Sequence, residues 1–339
     1  MNFNIALLMP DDLTRAWFAP PDVIAVFAEL GNLRVNDRKD YEPQHMAALL
    51  TDCHVCITGW GCPALDADVL KNAPDLRLVI HTGGTVAGIV TDELYNRGVR
   101  VISGNEIFAQ SVAEGTLAYM LAALRRIPFY NKLMHEGGWK RGIDKTNAGL
   151  FNKSVGLIGF GAIPRYLVPM LKLFTTDICV YDPYVADSVL QEFEIKRAES
   201  LADVFSKQLI SNHLPLTKET EKLIDADLLG LMRENAVFIN TARGGTVDED
   251  ALIAVLKKGK ITAVLDVFEV EPLPADSQLM GLDNAILIPH MAGPTADRYI
   301  HVSLSLAAVC KDYLQGKPLM YEVTHDYASR MTSIALQKM

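Results

Sequence analysis

The stretch Val155-Gly156-Leu157-Ile158-Gly159-Phe160-Gly161, running on to Val180-Tyr181-Asp182, decides the fold. Its opening reads as a buried strand, followed by a tight glycine turn, a helix over about 162–174 and a second strand over about 177–181. That order is a βαβ unit built to hold a dinucleotide. Gly159 can take the backbone angles of the turn, and Gly161, without a side chain, lets a pyrophosphate approach the main chain. The helix opens with Ala162 and Ile163, and its free N–H groups and dipole favour phosphate. Asp182 stands 23 positions after Gly159, where a carboxylate accepts hydrogen bonds from the adenosine ribose. The same charge repels a 2′-phosphate, so NAD is expected rather than NADP. The third glycine of the fingerprint belongs at position 164, which is Pro164. Proline is tolerated in a first helical turn, but it should hold helix and strand slightly apart. The bland alternative is a glycine-turned βαβ unit that binds no nucleotide.

A length of 339 residues suggests two domains, and a chain that is half hydrophobic can fill sizeable cores. The net charge of −9, with no basic block, argues against nucleic acid or an anionic membrane as the main partner. The N-terminus shows neither the basic region nor the cleavage site of a signal peptide. The long apolar helix expected over 108–127 carries Glu114, Arg125 and Arg126, which speaks against a membrane span. Five scattered cysteines suggest reduced thiols and a cytoplasmic protein. Cys53-His54-Val55-Cys56 has half the look of a metal site, but strand alternation should point its residues to opposite faces. No metal is expected; small buried side chains are the better reading.

The first hundred residues alternate strand candidates (3–8, 33–36, 54–58, 76–81, 99–102) with helical patterns (21–30, 43–50, 66–72, 91–96). Such alternation predicts an α/β fold with a parallel sheet covered on both faces. Two glycine turns follow strands here, Thr58-Gly59-Trp60-Gly61 and His81-Thr82-Gly83-Gly84-Thr85. Ligands bind beyond the carboxyl ends of such strands, so Trp60, Gly83, Gly84 and Thr85 are candidate substrate walls. After 155, strands are expected at 177–181, 207–211, 236–240, 261–266 and 285–288, and a last helix over 294–314; residues 325–339 lack a clear pattern.

Three later stretches end strands on the ligand edge: Asn240-Thr241-Ala242-Arg243-Gly244-Gly245, Asp266-Val267-Phe268-Glu269-Val270-Glu271-Pro272 and Pro289-His290-Met291-Ala292-Gly293. They bring an arginine, a carboxylate and a histidine to one crevice. The trio suits hydride transfer to and from a 2-hydroxy or 2-oxo acid. A guanidinium holds a carboxylate with two parallel hydrogen bonds and polarises a carbonyl. Histidine, titrating near neutrality, trades the hydroxyl proton, and a carboxylate beside the ring fixes its tautomer. Singly, Arg243 could be a surface charge, Glu269 or Glu271 a solvated loop carboxylate, and His290 a core histidine.

Together these motifs, with Gly159-Phe160-Gly161-Ala162-Ile163, Ser111-Val112-Ala113-Glu114 and His213-Leu214-Pro215-Leu216-Thr217, resemble the D-isomer-specific 2-hydroxyacid dehydrogenases from about residue 54 to 315. The resemblance implies that Arg243 binds substrate, that His290 is the acid/base and that Glu271 is its partner. It also places Asp266 and Thr241 near the cofactor and has His213 lining the cofactor pocket. It implies two Rossmann-like domains with parallel sheets, separated by an active-site cleft with hinges near 103 and 293. The substrate domain would hold 1–103 with 294–339, and the dinucleotide-binding domain 104–293. It further implies a homodimer through the cofactor domain, with the 108–127 helix contributing. The chain departs from the family at Pro164 and in the turn at 83–88, which lacks the family's aspartate. Neither wall turn holds Arg or Lys, so an unphosphorylated acid is expected, with Trp60 as a flat apolar wall. The rival is an NAD(H)-sensing regulator, such as a corepressor, on the same fold.

Overall fold

The computed structural model describes residues 3–337. The chain divides into two compact units, one taking it up to Phe108 and from Pro294 to Ile334, the other holding Ala109–Gly293.

The first unit contains β1 (Asn4–Leu7), α1 (Leu13–Phe18), α2 (Pro21–Ala28), β2 (Asn32–Val35), α3 (Pro43–Leu50), β3 (Val55–Thr58), α4 (Ala67–Leu70), β4 (Leu78–His81), α5 (Asp92–Asn96) and β5 (Arg100–Ser103). These five strands form one parallel sheet in the order β2-β1-β3-β4-β5. Alternation divides each strand between two cores. Ile5, Leu7, Val55, Ile57, Leu78 and Ile80 face one side. Ala6, Cys56 and Val79 face the other. Strands buried on both faces explain the unbroken apolar runs in the sequence. Helix α1 has no clear apolar period and goes unread in the sequence; Asp12 caps it by accepting from the Arg15 N–H.

Helix α6 (Asn105–Leu124) starts three residues earlier and stops three earlier than the pattern suggested. Arg126, in the left-handed region at φ 54°, breaks the chain direction, and α7 (Ile127–His135) follows with Pro128 in its first turn. By length and composition α6 is apolar enough to cross a membrane, and 44% of its apolar window is buried inside the fold.

The second unit continues with β6 (Val155–Ile158), α8 (Ala162–Leu171), β7 (Ile178–Tyr181), α9 (Asp187–Glu192), β8 (Lys196–Arg197), α10 (Leu201–Phe205), β9 (Leu209–Asn212), α11 (Ala226–Gly230), β10 (Val237–Asn240), α12 (Glu249–Lys257), β11 (Thr262–Leu265) and β12 (Ala285–Leu287). Its seven strands are parallel, in the order β12-β11-β10-β9-β6-β7-β8. The chain runs outward from β6 through β7 to β8, then crosses back to β9 and builds the other half. The order therefore reverses between β6 and β9, and a doubly wound sheet binds ligands beyond the carboxyl ends at such a point. Leu157, Leu209, Ile239 and Val264 fill one core and Ile158, Ile210, Phe238 and Leu265 the other.

The chain returns to the first unit with α13 (Tyr299–Leu314), on which α1 and α2 pack, and α14 (His325–Ser329). Helix α13 begins five residues later than expected. Helix α14 lies where no pattern was read, a single turn capped by Thr324; residues 338 and 339 lie outside the described ones.

Candidate active site

In the second unit, three strand ends bring Arg243, Glu271 and His290 together. The imidazole Nδ1 of His290 lies 2.7 Å from Glu271 Oε2. The other carboxylate oxygen, Oε1, accepts from the Phe268 N–H at 3.0 Å. Burial raises the Glu271 pKa. The hydrogen bond and charge of His290, the Phe268 N–H and the Arg243 charge outweigh burial and leave it below the ordinary value. Glu269 turns elsewhere, facing Lys222 at 3.5 Å, while its N–H donates to Glu249.

His290 sits at φ 51°, in the left-handed region that costs a non-glycine residue energy. Asp266 holds it there. The Asp266 carbonyl accepts from the His290 N–H at 2.9 Å, and its carboxylate accepts from the N–H groups of Met291 and Ala292 at 2.7 and 3.0 Å. Tyr119 adds a longer hydroxyl contact. Burial is the largest influence on Asp266 and pushes its pKa up against these donors. Its buried carboxylate is thus engaged with the histidine loop.

Arg243 is half-buried and hangs from a buried amide network. Asn240 Nδ2 and Thr246 Oγ1 donate to its carbonyl at 3.1 and 2.7 Å. Asn212 Nδ2 ties those two together, donating to Asn240 Oδ1 at 3.1 Å and Thr246 Oγ1 at 2.8 Å. The adjoining Gly244 must be glycine: a Cβ would lie 1.9 Å from the Phe268 carbonyl carbon and oxygen. That close approach brings the Arg243 turn to the Glu271 loop. The guanidinium donates to the Ala242 carbonyl at 2.6 Å, while its buried Nε has no partner among the described residues. Burial lowers its pKa, opposed by Glu271. A buried donor left over beside a carboxylate-histidine pair fits an anionic ligand.

The glycine turn lies at the β6 end of the same sheet. Gly159 adopts φ 87°, and a Cβ there would sit 3.1 Å from the His213 carbonyl oxygen. Gly161 has ordinary angles (φ −75°) and nothing within 4 Å of where a Cβ would stand. Helix α8 follows without a side-chain cap, so the first N–H groups, those of Ala162 and Ile163, are open to an acceptor. Pro164 is buried in that first turn and the helix runs unbroken through it. Asp182, at the end of β7, faces the turn: Oδ2 accepts from the Phe160 N–H at 2.7 Å and Oδ1 from Tyr184 and Val185 at 2.8 and 3.1 Å. Oδ2 keeps a lone pair for a further donor. His213, just past β9, bonds Ser211 through Nε2 at 2.9 Å; its buried Nδ1 has no partner among the described residues, and burial lowers its pKa to about 3. Thr241 is buried against Thr116, with hydroxyls 3.0 Å apart. An open glycine, an uncapped helix start and the orphan nitrogen on His213 fit a dinucleotide.

In the first unit, the turn after β4 carries Gly83, Gly84 and Thr85. A Cβ on Gly83 would meet His81 Nε2 at 2.4 Å and Trp60 Nε1 at 2.6 Å, so the indole lies against this turn. Trp60 remains 39% exposed. His81 is buried, bonds Thr58 Oγ1 through Nδ1 at 3.0 Å, and has its pKa lowered by burial to about 3. Cys53 and Cys56 share one core, contrary to the alternation argument, because Cys53 precedes the strand. Burial raises both thiols. Among the described residues, no three His, Cys, Asp or Glu side chains gather as a metal would need.

Residues 117–292 match the profile of the D-isomer specific 2-hydroxyacid dehydrogenase, NAD binding domain. The chain belongs to the D-isomer specific 2-hydroxyacid dehydrogenase family. Among its family relatives, the D-3-phosphoglycerate dehydrogenase of Methanocaldococcus jannaschii is 32% identical over 302 residues, 87% of this chain and 56% of that protein. The glyoxylate reductase of Thermofilum pendens is 32% identical over 289 residues, 82% of this chain and 84% of that protein. The chain spans about half the length of the first two D-3-phosphoglycerate dehydrogenases it matches. Among solved structures, a phosphoglycerate oxidoreductase from Rhizobium etli aligns with TM-score 0.80 and 26% identity, over 95% of this chain and 98% of that one. The family's nicotinamide dinucleotide site accords with the open turn at 159–163. Sequence reasoning missed Asn212, Thr246 and Tyr119 in this family fold. The only signal was a polar residue closing an apolar strand, as in Leu209-Ile210-Ser211-Asn212.

Proposed function

We propose that this protein is an NAD-dependent oxidoreductase interconverting a small, unphosphorylated 2-oxo acid and its D-2-hydroxy acid. The carrying observation is the 2.7 Å pairing of His290 Nδ1 with Glu271. With Nδ1 engaged, the ring's orientation is held and Nε2 is left to exchange a proton with the substrate oxygen. Glu271, held below the ordinary carboxyl range, stays ionised at neutral pH and stabilises the imidazolium. Arg243 contributes the fixed charge that binds the substrate's carboxylate and polarises its C2 carbonyl. When bound, the nicotinamide supplies the hydride for reduction or accepts it in oxidation. In reduction the His290 imidazolium would give its Nε2 proton to the substrate's C2 oxygen, and in oxidation the neutral ring would take it back.

Gly159, Gly161, Ala162 and Ile163 would hold the pyrophosphate, Asp182 the adenosine ribose, and His213 and Thr241 would line the site, with Asp266 fixing the histidine loop. In the first unit, the Gly84 and Thr85 N–H groups can hold a carboxylate. The absence of Arg and Lys from turns 58–62 and 82–88 supports an unphosphorylated acid. A homodimer through the cofactor unit is part of the reading. It is supported by the exposed apolar side chains Ile127 and Met134 on α7, which line a concavity of about 670 Å³, and by the exposed Trp139, Ile143 and Phe151 further along the chain. A cytoplasmic setting accords with five free, buried cysteines.

The test follows NADH absorbance with a panel of 2-oxo acids. Wild type should turn over, and His290→Ala should lose about 10²- to 10⁴-fold in kcat while still binding NADH. NADH binding without turnover of any acid would instead identify a sensor of the cofactor.

A further inference from the structure

The seven-stranded sheet closes at one edge with β8, a strand of two residues, Lys196 and Arg197, both exposed. Strand β8 is laid parallel to β7, with Arg197 opposite Val180, and the Ala198 N–H donates to the Val180 carbonyl at 2.7 Å. That register places Arg197 two positions short of Asp182, the acidic residue just past the end of β7. All three nitrogens of its guanidinium donate into the loop that follows. Nη1 donates to the Asp182 carbonyl at 2.7 Å, Nη2 to the Val185 carbonyl at 2.6 Å and Nε to the Asp187 carboxylate at 2.7 Å.

The Asp182 carboxylate holds the same loop by its N–H groups. Oδ1 accepts from Tyr184 and Val185 at 2.8 and 3.1 Å, and Oδ2 accepts from Phe160 in the glycine turn at 2.7 Å. Val185 is thus held twice, its N–H by Asp182 and its carbonyl by Arg197. The two side chains share one closed set of hydrogen bonds, so a shift of Arg197 reaches the carboxylate beside the glycine turn. The contact with Asp187 is exposed, and an exposed ion pair adds little to stability. A lysine would balance the Asp187 charge equally well. The planar fork of arginine is what spans two carbonyls and a carboxylate at once. Its nitrogens are committed to the loop rather than free for a 2′-phosphate.

We propose that Arg197 is a positioning residue for cofactor selection. By bracing the 182–187 loop it sets the Asp182 carboxylate where the ribose diol of NAD can donate to it and where a 2′-phosphate would meet a fixed negative charge. This rests on the reading above that Asp182 holds the adenosine ribose, and deepens it. Arg197 acts through Asp182 and takes no part in the chemistry. A carboxylate that swings loses directed hydrogen bonds from the diol, which depend on its orientation. The same swing carries the negative charge off the 2′ position and relieves the repulsion of a phosphate. Loss of Arg197 therefore weakens NADH selectively.

The experiment measures dissociation constants for NADH and NADPH by titrating nicotinamide fluorescence, without substrate, in wild type, Arg197→Ala, Asp182→Ala and the double variant, with thermal midpoints as a folding control. Wild type should favour NADH. Arg197→Ala should weaken NADH about tenfold and NADPH by less than about threefold. In the Asp182→Ala background the same change should leave the preference between the two cofactors within about twofold, because the carboxylate it positions is gone. An equal loss of both cofactors marks Arg197 as a structural residue only and overturns the proposal. So does an undiminished preference in a folded Arg197→Ala protein, or a tenfold effect of Arg197→Ala on that preference that persists without Asp182. An Asp182→Ala protein that favours NADH as strongly as wild type instead fails the reading of Asp182 as the ribose ligand, and the proposal with it.

Discussion

Replacing Asn212 by leucine probes the network beneath Arg243. Asn212 is fully buried at the end of β9. Leucine has a similar volume but neither donates nor accepts. Three bonds go: to Asn240 Oδ1 (3.1 Å), to Thr246 Oγ1 (2.8 Å) and from the Leu214 N–H (3.2 Å). The groups left behind suffer unequally. Asn240 Oδ1 still accepts from the Ala242 N–H at 3.1 Å, and Thr246 Oγ1 still donates to the Arg243 carbonyl. The Leu214 N–H loses its acceptor outright. An orphaned donor costs about 1–3 kcal/mol, and the added apolar burial offsets roughly 1 kcal/mol, leaving a net loss of about 1 kcal/mol. In a unit of this size that lowers the melting midpoint by about 2–4 °C. The Arg243 carbonyl keeps its bonds from Asn240 and Thr246, but those two lose the amide that ties them together, so the guanidinium is held less firmly and substrate KM should rise roughly tenfold, a modest share of the loss that an ångström of misplacement can cause. Calorimetry reads the first effect; steady-state kinetics and NADH titration read the second. The reasoning is refuted if the midpoint does not fall, because the orphaned donor must outweigh the added apolar burial. Because Asn212 also holds the Leu214 N–H, and the intervening His213 carbonyl lies against Gly159, NADH affinity should fall as well but by less; a larger loss of NADH affinity than of substrate affinity would equally refute it.

The two glycines of the turn should part company. Gly161→Ala meets empty space at an ordinary φ of −75°, so stability should hold within about 1 kcal/mol while NADH binds about tenfold more weakly; unchanged NADH affinity would count against the turn as a phosphate site. Gly159→Ala, forced to φ 87° beside the His213 carbonyl, should cost about 1–2 kcal/mol in stability even without cofactor, read by urea denaturation. Acid should weaken the fold through His81 and His213, whose pKa values burial lowers from 6.5 to about 3. The unfolded chain takes up these protons first, so their contribution is whole above pH 6.5 and declines as pH falls toward 3, by up to about 1.4 kcal/mol per pH unit for each histidine. Wild type and the double variant His81→Gln/His213→Gln, compared by urea denaturation between pH 7 and 4.5, should diverge on the acid side; parallel curves would sink the burial argument.

Much of the candidate site was legible because its signals are local. A glycine turn, an acidic strand end and a histidine after proline each announce themselves within a few residues, and parallel strands put all such ends on one edge. The choice between Glu269 and Glu271 was not local. It follows from the approach of Gly244 to Phe268, which orients the 266–272 loop so that Glu271 meets His290 while Glu269 faces Lys222. The left-handed backbone of His290 and its anchoring by Asp266 were likewise invisible, since nothing in Pro289-His290-Met291 marks the residue that must bend.

The sequence by itself determined that this is a doubly wound α/β protein with a dinucleotide turn and an arginine, carboxylate and histidine on one edge. It could do so because the periods of strand and helix and the demands of a glycine turn act over short spans of chain. Only the tertiary structure decided that Asn212, Asn240 and Thr246 brace Arg243, that Asp266 is engaged with the histidine loop, and that the rings of Trp17, Phe18, Trp60, Phe108 and Tyr299 meet. Those arrangements join residues separated by tens to hundreds of positions. Their energies arise from burial and from hydrogen bonds between segments that become neighbours only when the sheets have formed.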